Sequence, residues 1–412
     1  MNGFLFFILA VIGGQYLLDV CISLLNLRSL SPDLPEEFAG VYDRDKYSKS
    51  QQYTRVTTRF SLVQTTLVTG LTILFIWYGG FNQIDLVARS AQFSPLYTGL
   101  LFMALLGLIS TVLNLPFSLY STFVIEERFG FNTTTLKTYI LDMLKGTLLA
   151  VLIGGPLLGF ILWFFEVSGS WAWFYCWVVI LAFIVIMQFL APVVIMPLFN
   201  TFTPLEDGEL KEAVTRYAKQ QHFGLQGIYT MDGSKRSKRA NAFFTGFGKY
   251  RRIVFFDTLI HEVSTKELVA ILAHEMGHFK KRHIIKMMVA SALQTGVMLY
   301  IMSLFINNEQ LFAAFGMEHL SIYASLVFFG FLYAPIATVL SIFYNSVSRR
   351  HEYEADAYAA ETTGESDSLI SGLKQLSVSN LSNLTPHPLH VFFHYSHPPV
   401  LQRIQALQAQ HH

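Results

Sequence analysis

The sequence predicts an all-α integral membrane protein of seven transmembrane helices, with a small β-hairpin on the cytosolic side. Three observations carry that prediction. Of 412 residues, 52% are hydrophobic and 14% charged, whereas a soluble domain carries about 25% charged residues. Seven apolar blocks reach the roughly 20 helical residues needed to cross a hydrocarbon core about 30 Å thick. Lysine and arginine gather in alternate loops, the pattern of loops retained in the cytosol.

The predicted spans are 4–25, 61–80, 96–119, 147–165, 171–199, 284–306 and 321–343. The first has no positive residue before Phe4 and no small-residue cleavage site, and it is too long for a signal peptide, so it reads as a true span. The fifth carries Pro192 and Pro197, which predict a bend or tilt. Pro116, Pro156 and Pro335 fall inside other spans, where membrane helices tolerate proline. Cys21 and Cys176 also lie inside spans and read as small apolar fillers rather than a disulfide or a thiolate metal site. Intramembrane polar groups are few, chiefly Asp19 with Gln15 and Gln188, and form no paired acid–base chain.

Loop 26–60 holds Arg28, Arg44, Lys46, Lys49, Arg55 and Arg59, and loop 120–146 holds Arg128, Lys137 and Lys145. Loop 81–95 has only Arg89, while 166–170 and 307–320 have no Lys or Arg. The odd loops, the polar segment 200–283 and the tail from 345 are therefore expected in the cytosol, with the N-terminus on the other side. A net charge of +1 creates no global field that would favour nucleic acid.

One membrane-embedded domain, 1–412, is expected in four stretches. These are spans one to five (1–199), a catalytic segment (200–283), spans six and seven (284–344) and a C-terminal segment (345–412). In the second stretch, Ser264-Thr265-Lys266-Glu267 is a capping-box start. The helix it opens should continue through Leu268, Ile271, Leu272, His274 and His278 to Lys280, Lys281 and Arg282 at the membrane interface. Upstream, 241–250 and 251–256 read as two short strands around Gly246 and Gly248. The Ser-rich stretch 362–384 reads as a mobile loop between helices. The closing His411-His412 is either native or a purification remnant.

Within the capped helix lies His274-Glu275-Met276-Gly277-His278. Two His four residues apart share one helix face, about 6 Å apart along the axis. Both imidazoles can reach one Zn²⁺, and Glu275 between them can act on a water held there. This makes the segment a zincin-type catalytic helix. The plainer alternative is two surface His on a basic helix.

A catalytic zinc needs three protein ligands and one open position. The best third donor follows span seven, in His351-Glu352-Tyr353-Glu354-Ala355-Asp356. Glu352 can ligate, and Asp356, four residues on along the same face, can bond the far nitrogen of a ligand His. Taken alone, these residues also read as a solvated charged helix. His261-Glu262 and His351-Glu352 lack a second His at the required offset. His283, five residues past His278, falls about 140° round the helix and reads as interfacial rather than as a ligand.

H-E-M-G-H followed after a span by E-Y-E-A-D resembles the integral-membrane zinc metalloproteases of the type I CAAX prenyl protease family. Further stretches are similar in order along the chain. They are Tyr120-x-x-Phe123-x-Ile125-Glu126-x-x-Phe129-Gly130-Phe131-Asn132, Pro197-Leu-Phe-Asn200-x-Phe202-Thr203-Pro204-Leu205, Asp232-Gly-Ser-Lys-Arg-Ser237, Asn241-Ala-Phe-Phe-x-Gly246-Phe and Ser396-His397-Pro398-Pro399. Lys238-Arg239-Ala240 departs where the family pattern carries a His, and the short loops suit a compact, bacterial member.

The resemblance implies that His274, His278 and Glu352 bind one Zn²⁺, that Glu275 is general base, and that His397 bonds the developing oxyanion from across the site. Without the resemblance, His397 is one of four tail histidines with His387, His390 and His394. The resemblance also implies that Asn241 and Ala242 belong to an edge strand that pairs with substrate backbone by β-augmentation. The residues alone fit an ordinary hairpin covering the helix.

The expected activity is hydrolysis of peptide bonds at a lipid bilayer, by removal of the C-terminal tripeptide of prenylated CAAX proteins. The expected place is the endoplasmic reticulum or a bacterial inner membrane, with the site facing the cytosol. Three alternatives are a quality-control zinc protease with no prenyl requirement, a seven-span receptor or transporter with an incidental motif, and an inactive scaffold. The scaffold is disfavoured because every expected ligand and the base are present.

Overall fold

Unbroken apolar helices dominate the molecule because nothing in the bilayer can satisfy a backbone N–H or C=O except the helix itself. The computed structural model describes residues 2–246 and 251–409. Seven helices are long and apolar enough to cross a membrane: Gly3–Arg28, Arg44–Trp77, Pro95–Phe129, Leu136–Val167, Gly169–Phe199, His283–Ser303 and Ile322–Thr363. They coincide in order with the seven predicted blocks.

Two run well past the apolar stretch. Span two begins at Arg44 and span seven ends at Thr363, because neither polar extension contains a Gly or Pro. Gly364, at φ +65°, supplies the left-handed C-cap that stops span seven. The bend expected in span five is a widened π turn, Ala191–Ile195, containing Pro192, and a second such turn, Ala150–Gly154, precedes Pro156. Pro116 and Pro335 sit inside continuous helix. Cys176 is buried and Cys21 is exposed on its helix.

The expected hairpin is half of a larger unit. Strands β1 (Phe202–Pro204), β2 (Gly227–Met231), β3 (Ala242–Thr245) and β4 (Arg252–Phe256) form one sheet in the order β1-β2-β4-β3. β3 and β4 are antiparallel, with Ala242 opposite Phe255 and Thr245 opposite Arg252. β2 pairs in parallel with β4, a partnership between segments distant in sequence that local pattern does not reveal. β3 is left as an edge strand. Gly246 has φ +85°, while the predicted turn at Gly248 and the closing His411-His412 lie outside the described residues.

The Ser-rich stretch is not a loop. Ser366–Ser379 is a helix whose Leu369, Ile370 and Leu373 are buried at helical spacing. It packs on the motif helix, Thr265–Lys280, in a core shared with Leu268, Leu272 and Met276 of that helix, Ile253 and Phe255 of β4, and Ile404 and Leu407 of the last helix, Val400–Ala409. Each fully buried Leu or Ile contributes about 1.5–3 kcal/mol. This core holds the motif helix against span seven.

Candidate metal and catalytic site

The motif helix starts where its capping box places it. Glu267 Oε2 accepts from Ser264 N at 2.6 Å, and Ser264 Oγ accepts from Glu267 N at 3.4 Å. At its other end Gly277 permits a close crossing: a Cβ there would sit 3.0 Å from Ala355 Cα and 3.1 Å from its carbonyl oxygen. Only glycine leaves the two backbones that near without displacement. The crossing brings Glu352 of span seven opposite His274 and His278.

His274 Nε2 and His278 Nε2 lie 3.2 Å apart. Glu352 Oε2 is 3.4 Å from the first and Oε1 is 3.2 Å from the second. The three donor atoms fall within 4.8 Å of one another. Glu352 is 3% exposed, and its Oε2 is buried without a hydrogen-bond partner. A buried carboxylate facing two imidazole nitrogens, with Arg403 Nη1 3.3 Å from Oε2 as its close cation, presents the donor types of a divalent-metal site. The set is therefore suited to a divalent metal.

The far side of each imidazole is held. Asp356 Oδ1 accepts from His274 Nδ1 at 2.8 Å. Asp356 is in turn clamped by Arg403, whose Nε and Nη2 donate to the two carboxylate oxygens at 2.8 and 2.6 Å. Arg403 Nη1 also reaches Glu352 Oε2 at 3.3 Å. Burial opposes a second proton on His274, but its bonds to Asp356 and Glu352 outweigh burial and raise its pKa to about 9.

His278 Nδ1 lies 3.1 Å from His283 Nδ1, and His283 Nε2 lies 3.1 Å from Glu354 Oε2. Donation from His278 to His283 to Glu354 satisfies every nitrogen and leaves the His278 Nε2 lone pair facing Glu352. The expectation that His283 is interfacial is therefore corrected: it is buried, and its ring stacks on His351 at 3.9 Å. The motif helix ends at Lys280, and Arg282 turns back at φ +57°, so the angle reckoned on a continuous helix does not apply.

His397 Nε2 stands 3.3 Å from Glu352 Oε1, and its Nδ1 is 2.9 Å from Ser396 Oγ. His397 and Asn241 line a cavity of about 820 Å³. Glu275, half-buried and without a hydrogen bond among the described residues, lines a second cavity of about 490 Å³ with His278, Phe243 and Phe244. Asn241 is exposed and Ala242 opens β3, so the edge strand runs between these two cavities. His387 caps the helix Pro388–His394, while His390 and His394 pair with each other at 5.0 Å between rings. Neither touches the donor cluster.

Sequence reasoning missed Arg403. The available signal was an arginine on the apolar face of the last helix, in line with Val400, Ile404 and Leu407. A cation on such a face needs a buried anion.

Residues 23–201 match the family model described as CAAX prenyl protease N-terminal, five membrane helices, and residues 204–411 match peptidase family M48. The chain is 36% identical over 414 residues to CAAX prenyl protease 1 of Saccharomyces cerevisiae, covering 93% of this chain and 89% of that protein. It is 35% identical over 404 residues to the CAAX prenyl protease 1 homolog of Oryza sativa subsp. japonica, covering 96% and 95%. The crystal structure of S. mikatae Ste24p superposes with a TM-score of 0.94 at 34% identity, covering 99% of each chain.

Proposed function

The chain belongs to the M48 metallopeptidase family of membrane-embedded CAAX prenyl proteases, and on that premise we propose a zinc enzyme that removes the C-terminal tripeptide from prenylated CAAX proteins. In this reading His274, His278 and Glu352 would hold one Zn²⁺, the donor set of catalytic His₂Glu zinc sites. The observation that carries it is the convergence of those three donors within 4.8 Å, beside an exposed strand edge. Family membership leaves no room for the receptor or transporter reading.

Bound Zn²⁺ supplies a Lewis acid and brings the pKa of water from 15.7 to about 7. With the metal bound, Glu275 would take a proton from the water whose oxygen attacks the scissile carbonyl carbon and return it to the amine released as the C–N bond breaks. His397 donates a hydrogen bond to the carbonyl oxygen as charge develops, an interaction typically worth about 3 kcal/mol. Asn241 and Ala242 align the substrate backbone on the β3 edge. Asp356 fixes the His274 tautomer and Arg403 fixes Asp356. No side chain attacks the carbonyl, so no acyl-enzyme forms. The Lys and Arg asymmetry of the loops supports a cytosolic site, in the endoplasmic reticulum or a bacterial inner membrane.

The deciding experiment compares a farnesylated CAAX peptide with its unmodified twin, using purified protein of measured zinc content. A higher kcat/KM for the farnesylated peptide is expected. Equal values would replace this reading with that of a quality-control protease indifferent to the prenyl group.

Metal uptake should depend on pH in a definite direction. Because the His274 pKa is raised to about 9, metal-free protein carries a proton there at neutral pH, and the metal must displace it. Apparent zinc affinity should therefore rise with pH up to about 9 and weaken as pH falls, with close to one proton released at pH 7 from this residue. Titration calorimetry in buffers of different ionisation enthalpy measures that release. Uptake without proton release at pH 7 would contradict the assignment.

A further inference from the structure

β3 connects two cavities of opposite chemistry. Along its later residues, Phe243 and Phe244 of the strand, with Phe223 and Phe279, wall the 490 Å³ cavity that also holds Glu275. Before its first residue, Arg239, Asn241 and His397 line the 820 Å³ cavity. Resting on the protease reading above, we infer that this second cavity is the subsite for the substrate's free C-terminal carboxylate, with Arg239 as its cationic contact.

Arg239 is the one Lys or Arg lining that cavity among the described residues, and no Asp or Glu joins it. The rest of the wall is mainly amide, hydroxyl and imidazole. Arg239 Nη2 faces Tyr53 and Glu126, the latter at 3.1 Å, and the guanidinium lies 4.3 Å from the centre of the Phe131 ring. These contacts fix its plane, and Nε and Nη1 make no hydrogen bond among the described residues. The side chain is 39% exposed. A planar fork with unused donors suits a carboxylate.

The opposite cavity is lined by Arg251, Lys280 and Arg282 together with Glu275, but Arg251 is spread over Phe279 and Phe223, at 3.8 and 4.7 Å from their centres, and Lys280 Nζ donates to the Gln221 carbonyl at 2.6 Å. Its aromatic surface suits a prenyl chain. A substrate with a lipidated cysteine upstream and a carboxylate downstream would then run from the phenylalanines to Arg239, antiparallel to β3. That is the more stable sense of strand pairing.

Backbone geometry also limits how far the peptide follows the edge. The N–H of Ala240 donates to Asn380 Oδ1 at 3.2 Å, and its carbonyl accepts from Asn380 Nδ2 at 3.2 Å. Asn380 thus occupies Ala240 as a neighbouring strand would. The substrate must leave the edge at Asn241 and turn into the cavity that holds Arg239.

The test uses two farnesylated CAAX peptides, one ending in the free acid and one in the amide. Wild-type protein should favour the acid by about tenfold or more in kcat/KM, the effect of one charge-assisted hydrogen bond. Arg239→Gln should bring the acid-to-amide ratio to within about twofold, and Arg239→Lys should restore part of it because the charge remains. As a check that needs no variant, the free tripeptide acid should inhibit wild-type protein about tenfold more tightly than its amide. Equal cleavage of acid and amide, equal inhibition by the two tripeptides, or a ratio unchanged in Arg239→Gln would each overturn the subsite while leaving the protease intact. Cleavage of neither peptide by zinc-loaded wild-type protein would remove the proposed function, and the subsite with it.

Discussion

Glu275→Gln should keep its zinc and lose about 10²- to 10⁴-fold in kcat, the usual contribution of a positioned general base. The amide preserves the shape of the side chain but cannot accept the water's proton. Glu275 makes no hydrogen bond to the metal-site residues, so its replacement should leave His274, His278 and Glu352 in place. KM should change little, because in the proposed mechanism the side chain acts on the reacting water and not on the β3 edge. The measurement pairs metal analysis with steady-state kinetics on a CAAX peptide. A variant with full zinc and wild-type turnover would remove Glu275 from the mechanism.

Arg403→Ala should damage both the fold and the metal site. The guanidinium and the Asp356 carboxylate are buried, at 9% and 2% exposure, and are joined by two hydrogen bonds. Removing one partner of such a pair leaves the other charge uncompensated and costs about 3–5 kcal/mol. The same loss frees Asp356, which orients His274, and losing a partner of this kind typically costs about 10- to 100-fold in metal affinity. A lower thermal midpoint and a weaker zinc affinity in chelator competition are expected together. Arg403→Lys should recover little, since an ammonium cannot bridge both carboxylate oxygens. Wild-type stability combined with wild-type zinc affinity in Arg403→Ala would show that the clamp is dispensable.

The misread residues fail for physical reasons. His283 was placed by assuming a continuous helix, but the chain breaks after Lys280 and folds back at Arg282, carrying the ring beneath His278. The stretch 362–384 looked like a loop because its serines mask three buried apolar residues at helical spacing, Leu369, Ile370 and Leu373. β1 and β2 are short, and their pairing is with segments far along the chain. In each case the deciding contact is nonlocal.

Local pattern alone determined the spans, the capped helix and the paired imidazoles, because a bilayer demands about 20 apolar residues per crossing and a helix puts residues four apart on one face. The need of a catalytic zinc for a third donor pointed to Glu352 and, four residues on, Asp356, and similarity to a known family pointed to His397. Only the tertiary structure decided that Arg403 clamps Asp356, that His283 and Glu354 support His278, and that β3 is a free edge closed at Ala240 by Asn380. Those arrangements depend on Gly277 letting two backbones cross at contact distance, and on a core that brings the chain's last helix against its seventh span.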